Sequence, residues 1–140
     1  MASLENLETV ENDLESKAEE IDESKQELEE AQNKLAKIEE AISNIEDNEV
    51  KEKLEGNKES REQDVEAAES KLQNLESDLD DLESEYENME QENNTSKTEL
   101  NSLTSIGEDV SEAMQVVESR SAAIEQGKNK IKELKKKING

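Results

Sequence analysis

Apolar residues recur every seven positions through the first third of the chain, a spacing typical of one face of a coiled-coil helix. This seam position holds Leu7, Leu14, Ile21, Leu28, Leu35 and Ile42. The position three residues later is filled by Val10, Lys17, Ser24, Ala31, Ile38 and Ile45, of which only Lys17 and Ser24 are polar. Steps of three and four residues keep these side chains on one helix face, so the pattern predicts a helix over residues 4–45.

The same heptad spacing returns between Val65 and Ile138. In this stretch 16 of the 22 seam positions are apolar, against 7 of the other 52 positions. The non-apolar seam positions are Asn93, Ser96, Gly107, Ser121, Lys128 and Lys135. The contrast between seam and non-seam positions predicts antiparallel coiled-coil helices in an all-α fold.

The two heptad frames are out of phase, because Ile42 and Val65 are separated by three heptads plus two residues. A helix break must therefore lie between them. Residues 46–49 and the pair Gly56–Asn57 are the two candidate positions. Leu54 fits the second frame and so belongs to the second helix, which favours a turn near residue 47.

A second turn is predicted at residues 93–96, where Asn93, Asn94, Thr95 and Ser96 are four weak helix formers in a row. Ser96 and Glu99 also match the capping-box pattern that starts a helix. Turns near 47 and 94 would divide the chain into helices at about 4–45, 49–92 and 97–138. Three helices of nearly equal length predict an up-down-up three-helix bundle, in one elongated domain spanning residues 1–140.

The alternative is a long helical hairpin that dimerises, because the heptad frame passes through residues 93–96 without a change of phase. Asn93 would then be a buried polar seam residue that sets helix register. Ile106, Ala113 and Leu134 widen the apolar stripe of the last segment. A wider stripe suits contact with two neighbouring helices, and this favours the bundle.

Composition adds a strong acidic bias to this picture. The chain has 40 Asp and Glu against 17 Lys and Arg, a formal net charge of −23. Leu, Ile and Val together make up about a fifth of the residues, and Phe, Trp and Pro are absent. These values alone are typical of a disordered chain, but the heptad seam provides a continuous surface that helices can bury.

The residue types that are missing narrow the chemistry. Without Cys or His the chain has no thiolate or imidazole ligand and no histidine general base. The acidic residues fall mainly outside the seam, as expected for a solvated face rather than a catalytic or metal-binding site. We therefore expect a non-enzymatic protein without a cofactor or small-molecule substrate. No apolar run could span a membrane, and we expect a cytoplasmic protein or one exported without a conventional signal peptide.

Positive charge is concentrated in the last part of the chain, which makes it a candidate interaction surface. The lysines there are Lys128, Lys130, Lys132, Lys135, Lys136 and Lys137, against the single acid Glu133. One or two of them would complement the dipole of a terminal helix. The remainder could contact an acidic helix or another anionic surface. Nucleic acid is not the expected partner, because the rest of the chain would repel phosphate.

These features favour a structural protein that acts as a scaffold, spacer or adaptor through helix–helix pairing with a protein partner, which could be a second copy. The alternative is a small acidic partner or chaperone of another machine, such as a secretion-associated helical companion. Tyr86 and Glu90 resemble the Tyr-x-x-x-Asp/Glu export signal of type VII secretion substrates, which are helical hairpins. The Trp-x-Gly turn of that family is absent here.

Overall fold

The computed structural model describes residues 4–140 and contains three long helices. Helix α1 spans Leu7–Asn44 after a short 3-10 turn at Leu4–Asn6, α2 spans Asn48–Ser105 and α3 spans Ser111–Asn139. No β-strand occurs within residues 4–140. The predictions of an all-α fold and of a three-helix bundle are confirmed.

The chain divides into two compact units. Within the described residues, the first unit contains 4–18 and 77–140, and the second contains 19–76. The prediction of a single elongated domain stays a prediction.

All three helices contribute to the core of the first unit. Its buried apolar side chains are Val10 and Leu14 from α1, Leu79, Leu82, Tyr86 and Met89 from α2, and Val117, Ile124, Ile131 and Leu134 from α3. All the α2 members are seam positions of the second heptad frame. The apolar stripe on α2 therefore packs against both other helices. Leu134, which belongs to the widened apolar stripe of the last segment, is buried in this core.

The second unit is a two-helix hairpin with a smaller buried core. Ile21, Ser24, Ala68, Leu72 and Leu75 are buried, whereas the seam residues closer to its turn are half-buried. A two-helix pair leaves both edges of its seam open to water, which accounts for this partial burial. Two ion pairs bridge the hairpin, with Lys71 Nζ 3.4 Å from Glu27 Oε2 and Lys58 Nζ 3.7 Å from Glu39 Oε2.

The turn predicted near residue 47 is confirmed, because α1 ends at Asn44 and α2 begins at Asn48. The carboxylate of Asp47 accepts hydrogen bonds from the backbone N–H groups of Glu49 at 3.0 Å and Val50 at 3.3 Å. A side-chain oxygen at this position satisfies N–H groups that the first helical turn leaves without a partner. Gly56 lies within α2 and interrupts nothing.

The turn predicted at residues 93–96 is wrong, and with it the helix limits 49–92 and 97–138, because α2 continues to Ser105. The weak helix formers are accommodated in two ways. The hydroxyls of Thr95, Ser96 and Thr98 donate to the carbonyls four residues earlier, at 3.0, 3.3 and 3.0 Å. The side chain of Asn93 is buried and donates to α3. The helices are therefore unequal, with 38, 58 and 29 residues.

The second turn lies at residues 106–110, where Gly107 has a φ of 91°. Gly107 N–H donates to Thr104 O at 3.0 Å and Glu108 N–H donates to Leu103 O at 3.1 Å, the two bonds of a Schellman motif. The Asp109 carboxylate then accepts hydrogen bonds from the hydroxyl and the backbone N–H of Ser111, and these bonds lower the pKa of the Asp109 carboxyl group. In the sequence, Gly107 followed closely by Asp109 is the signal that could have identified this turn.

Gly127 on α3 is required by close helix packing in the first unit. A Cβ atom at this position would overlap with Cζ of Tyr86, well inside van der Waals contact. The absence of a side chain lets the phenol ring of α2 lie directly against the α3 backbone. A helix-interior glycine normally costs stability, but here it removes a steric conflict.

We predict opposite effects for two glycine-to-alanine substitutions in helices. Gly127→Ala should lower the free energy of unfolding by about 1–3 kcal/mol because the new methyl group overpacks against Tyr86. Gly56→Ala should raise it by about 0.5–1 kcal/mol, since nothing lies within 4 Å of its Cβ position and alanine favours helix. Urea denaturation followed by circular dichroism measures both values. Equal effects of the two substitutions would contradict the close contact at Gly127.

Candidate interaction surface

Lys128 and Lys135 of the C-terminal lysine group bind acidic residues of α2. Lys135 Nζ lies 2.5 Å from Asp80 Oδ1 and 3.5 Å from Glu83 Oε1. Lys128 Nζ lies 3.2 Å from Glu90 Oε1. These contacts join α3 to α2 within the first unit, so Lys128 and Lys135 have an internal role.

The hydrogen bond from Lys135 to Asp80 is the main cause of a raised pKa for the Lys135 amine, and the charge of Glu83 adds to it. Desolvation acts in the opposite direction and is outweighed. The ammonium form is therefore favoured in the folded protein.

The remaining lysines are arranged differently. Lys130, Lys132 and Lys136 form no ion pair with any residue between 4 and 140. Lys136 and Lys137 lie in the last turn of α3, where positive charge complements the helix dipole. A role of the C-terminal lysines in binding a partner stays a prediction. Because Lys128 and Lys135 already pair with acidic residues of α2, fewer than six positive charges are available to a partner.

Lys130 lines a groove of about 290 Å³ between α1 and α3 in the first unit. Glu11, Leu14 and Ala123 also line this groove, together with Tyr86 and Gly127. The groove shows that α1 lies beside the face of α3 that carries Ala123 and Gly127.

Tyr86, the only aromatic residue of the chain, is completely buried. Its hydroxyl has no hydrogen-bond partner among the described residues. Burial, with smaller contributions from the charges of Glu11 and Glu85, raises the pKa of the phenol to about 12. The charged form is disfavoured because a buried phenolate would lose its hydration while facing negative charge.

Asn93 is buried in the interface between α2 and α3. Its amide nitrogen donates to Val117 O and to Ser121 Oγ, both at 2.9 Å. Its Oδ1 atom is buried without a partner among residues 4–140. The structure therefore places Asn93 at a helix contact rather than in a turn, and Ser96 is half-buried with its hydroxyl bonded to Glu92 O. Both hydrogen bonds require Val117 and Ser121 to lie opposite Asn93, which is the geometry of a register-setting residue.

The start of α1 is fixed against one side of α2. Leu4 N–H donates to Glu92 Oε2 at 3.0 Å, and Lys17 Nζ lies 3.1 Å from Asp78 Oδ2. Asp78 and Glu92 are two heptads apart and so lie on the same face of α2. A cavity of about 270 Å³ lined by Leu4, Glu92, Thr95 and Ser96 lies beside the 3-10 turn that precedes α1.

Sequence reasoning missed the exposure of three apolar residues that precede or follow the second turn. Leu103 is 40% exposed, Ile106 74% and Val116 49%. Leu103 is a seam residue and Ile106 belongs to the widened stripe, so both were expected to be covered. Their exposure follows from the position of the second turn, because this turn places Leu103 and Ile106 at the end of the α2–α3 hairpin. Gly107 was the residue in the sequence that could have located this turn.

Residues 4–140 contain no cluster of three or more acidic side chains arranged to hold a metal ion. Within the same part of the chain, no helix has the length and apolar character needed to cross a membrane. Comparisons with protein-family models, curated proteins and solved structures give no match.

The single tyrosine permits a direct titration of the core. We predict that absorbance at 295 nm reports a phenol pKa of about 12 in the folded protein and of about 10 in urea. The folded pKa is the higher one, so the contribution of Tyr86 to stability is present below pH 10 and is lost as the pH rises toward 12. A folded-state titration near pH 10 would show that the ring is exposed to water.

A second prediction concerns the ion pairs of Lys135. Lys135→Gln should lower the free energy of unfolding at neutral pH by about 0.2–1 kcal/mol, the range of partly exposed pairs. Because the folded-state pKa is raised above 10.5, this contribution is complete below that pH and is lost as the pH rises through the raised value. Denaturation midpoints at pH 7 and above pH 11 provide the test.

Lys136→Gln is the matched control, because it removes the same charge from the same helix end without breaking an ion pair with the described residues. Equal losses of stability in the two variants at neutral pH would mean that Lys135 acts only through the overall charge.

Proposed function

We propose that the protein is a non-catalytic structural and interaction protein. In this proposal it acts as a scaffold, spacer or adaptor whose long helices pair with helices of a protein partner or of a second copy. The proposal includes a site of action in the cytoplasm, or outside the cell after export without a conventional signal peptide.

The observation that carries this proposal is the partly covered seam of the second unit. Its half-buried residues between the buried core and the turn are Leu28, Ala31, Leu35, Ile38, Ile42, Ile45, Leu54 and Val65. Val50, in the first turn of α2, is 43% exposed. Further helices packed along this seam would remove apolar surface from water. Each Å² removed would stabilise the complex by about 25 cal/mol.

Local charge supports pairing at this place. Residues 31–65 contain ten acidic and six basic side chains, whereas residues 5–30 contain twelve acidic side chains against two lysines. A helix approaching residues 31–65 meets less like-charge repulsion, and acidic and basic side chains are both available for its flanks. Residues 31–65 therefore combine weaker like-charge repulsion of an approaching helix with partly exposed apolar surface.

Site-specific photocrosslinking in cells that naturally make the protein tests this function. The crosslinker p-benzoylphenylalanine is placed at Ile38 on the seam or at Val50 beside it, together called the seam positions. The control is Asn33, which is exposed on the outer face of α1. We expect a discrete protein adduct, identified by mass spectrometry, from the seam positions and none from Asn33.

An adduct with a second copy would identify self-pairing, which the proposal includes. Absence of any adduct from both seam positions, in variants that retain their helical circular dichroism, would contradict the proposed function. An equal yield from Asn33 would also contradict it, because binding would then not depend on the seam.

A further inference from the structure

The turn between α2 and α3 leaves the heptad frame unchanged. Leu103 before the turn and Val110 after it are seven residues apart and occupy the same seam position. The first turn differs, because the frame shifts by two residues across it. A turn does not require the helices it joins to share a frame, and chance would preserve the frame about once in seven turns. The sequence on both sides of residues 106–110 is therefore also that of one continuous coiled-coil helix.

The second turn itself is compatible with a helix. The chain contains no proline, so every residue of the turn has a backbone N–H group. The N–H groups of Gly107 and Glu108 donate to the carbonyls of Thr104 and Leu103 in the turn. In a continuous helix they would donate to the carbonyls four residues earlier instead. Both conformations satisfy these N–H groups, and the turn differs by the left-handed φ of 91° at Gly107.

The contacts between α2 and α3 are centred on Gly107. Asn93 lies fourteen residues before it, and Ser121, which accepts from the Asn93 amide, lies fourteen residues after it. Asp80 and its partner Lys135 are 27 and 28 residues away in the two directions. A second copy in antiparallel orientation, with its Gly107 beside the first, therefore presents the same residues to each helix. Each α2–α3 contact of the hairpin has an equivalent between the two copies.

Apolar residues at the turn would be covered in that arrangement. Ile106 is 74% exposed and Leu103 is 40% exposed in the hairpin. Because the antiparallel pair is symmetric about residue 107, the two Ile106 side chains come together. For the same reason, Leu103 of each copy lies opposite Val110 of the other copy. Burial of these side chains favours the paired form through the hydrophobic effect.

Charge opposes this pairing only near the turn. Residues 96–120 carry five acidic side chains against Lys97 and Arg120. Along the rest of α2 and α3, the charged side chains meet the same neighbours as in the hairpin. Repulsion between the two copies is therefore concentrated at Glu108 and Asp109, where salt screens it.

We propose that two copies of the chain exchange α3. In the exchanged dimer, residues 48–139 of each copy form one helix, and α3 of each copy packs against α2 of the other. The contacts between α2 and α3 are kept, so the exchange costs little, and the second copy covers the apolar residues at the turn. This inference goes beyond the proposed function, because it needs no helix on the seam of the second unit.

The variant Gly107→Ala tests the hinge in the full-length protein. Alanine disfavours a φ of 91° and favours helix, and nothing lies within 4 Å of its Cβ position that could disturb the packing. We expect the dimer association constant, measured by light scattering, to rise at least about a hundredfold. Gly107→Asn should raise it less, because asparagine tolerates left-handed backbone better. Added salt should raise it further in every variant.

Gly56→Ala is the matched control. Gly56 lies within α2, away from the turn, and nothing lies within 4 Å of its Cβ position either. This substitution also favours helix, but it leaves the hinge unchanged. We therefore expect the dimer association constant of Gly56→Ala to equal that of the unaltered protein.

Cross-linking between isotope-labelled copies distinguishes exchange from other dimers. Unlabelled and ¹⁵N-labelled protein are mixed, unfolded in urea and refolded together. A carbodiimide then joins Lys128 to Glu90, whose Nζ and Oε1 atoms lie 3.2 Å apart. In the exchanged dimer this link joins two chains. Mass spectrometry should therefore find light–heavy peptide pairs in the dimer fraction and none in the monomer fraction.

A Gly107→Ala protein that keeps its helical circular dichroism but dimerises no more than Gly56→Ala would overturn the proposal. Dimers whose Lys128–Glu90 links all lie within one chain would overturn it as well, because the copies would then pair through another surface. Failure here together with adducts from the seam positions would leave the proposed function standing. Light–heavy links without those adducts would support the exchange and contradict the proposed function.

Discussion

The apolar stripe along α2 must be covered in a chain whose other helix faces are dominated by negative charge. Leu79, Leu82, Tyr86 and Met89 form the part of this stripe that three helices bury in the first unit. Leu72 and Leu75 form the part that the two-helix hairpin buries in the second. Because Leu, Ile and Val are scarce, the core contains few apolar contacts. The contact between Tyr86 and Gly127 is therefore a large part of what holds α2 against α3.

Basic residues are also scarce, and many of them are used between helices. Lys17, Lys58, Lys71, Lys128 and Lys135 each pair with an acidic residue on another helix. Each such pair contributes at most about 1 kcal/mol because it remains partly exposed. Their more important effect is to reduce repulsion where acidic helix faces approach one another. The polar contact of Asn93 with Val117 and Ser121 then favours one alignment of α2 with α3.

Apolar surface stays open where packing within the chain is incomplete. In the second unit the seam is half-buried, and residues 31–65 carry ten acidic against six basic side chains. In the first unit Leu103, Ile106 and Val116 are exposed, and residues 96–120 carry five acidic side chains against Lys97 and Arg120. The seam of the second unit is the surface to which the proposed function assigns partner helices.

Heptad spacing and its change of phase were enough to predict the helical fold, the seam residues and the first turn. Heptad spacing is a local property, and the phase change between Ile42 and Val65 required a break. Leu54 placed this break near residue 47 because it fits the second frame. The position of the second turn depends on contacts between helices. The weak helix propensities of residues 93–96 amount to a few tenths of a kcal/mol each. The buried apolar side chains of Met89 and Val117 and the two hydrogen bonds of Asn93 to α3 favour the continuous helix. The sequence could not show which residues lie opposite Asn93, Gly127 or Lys135, because contacts between distant segments depend on how the helices align.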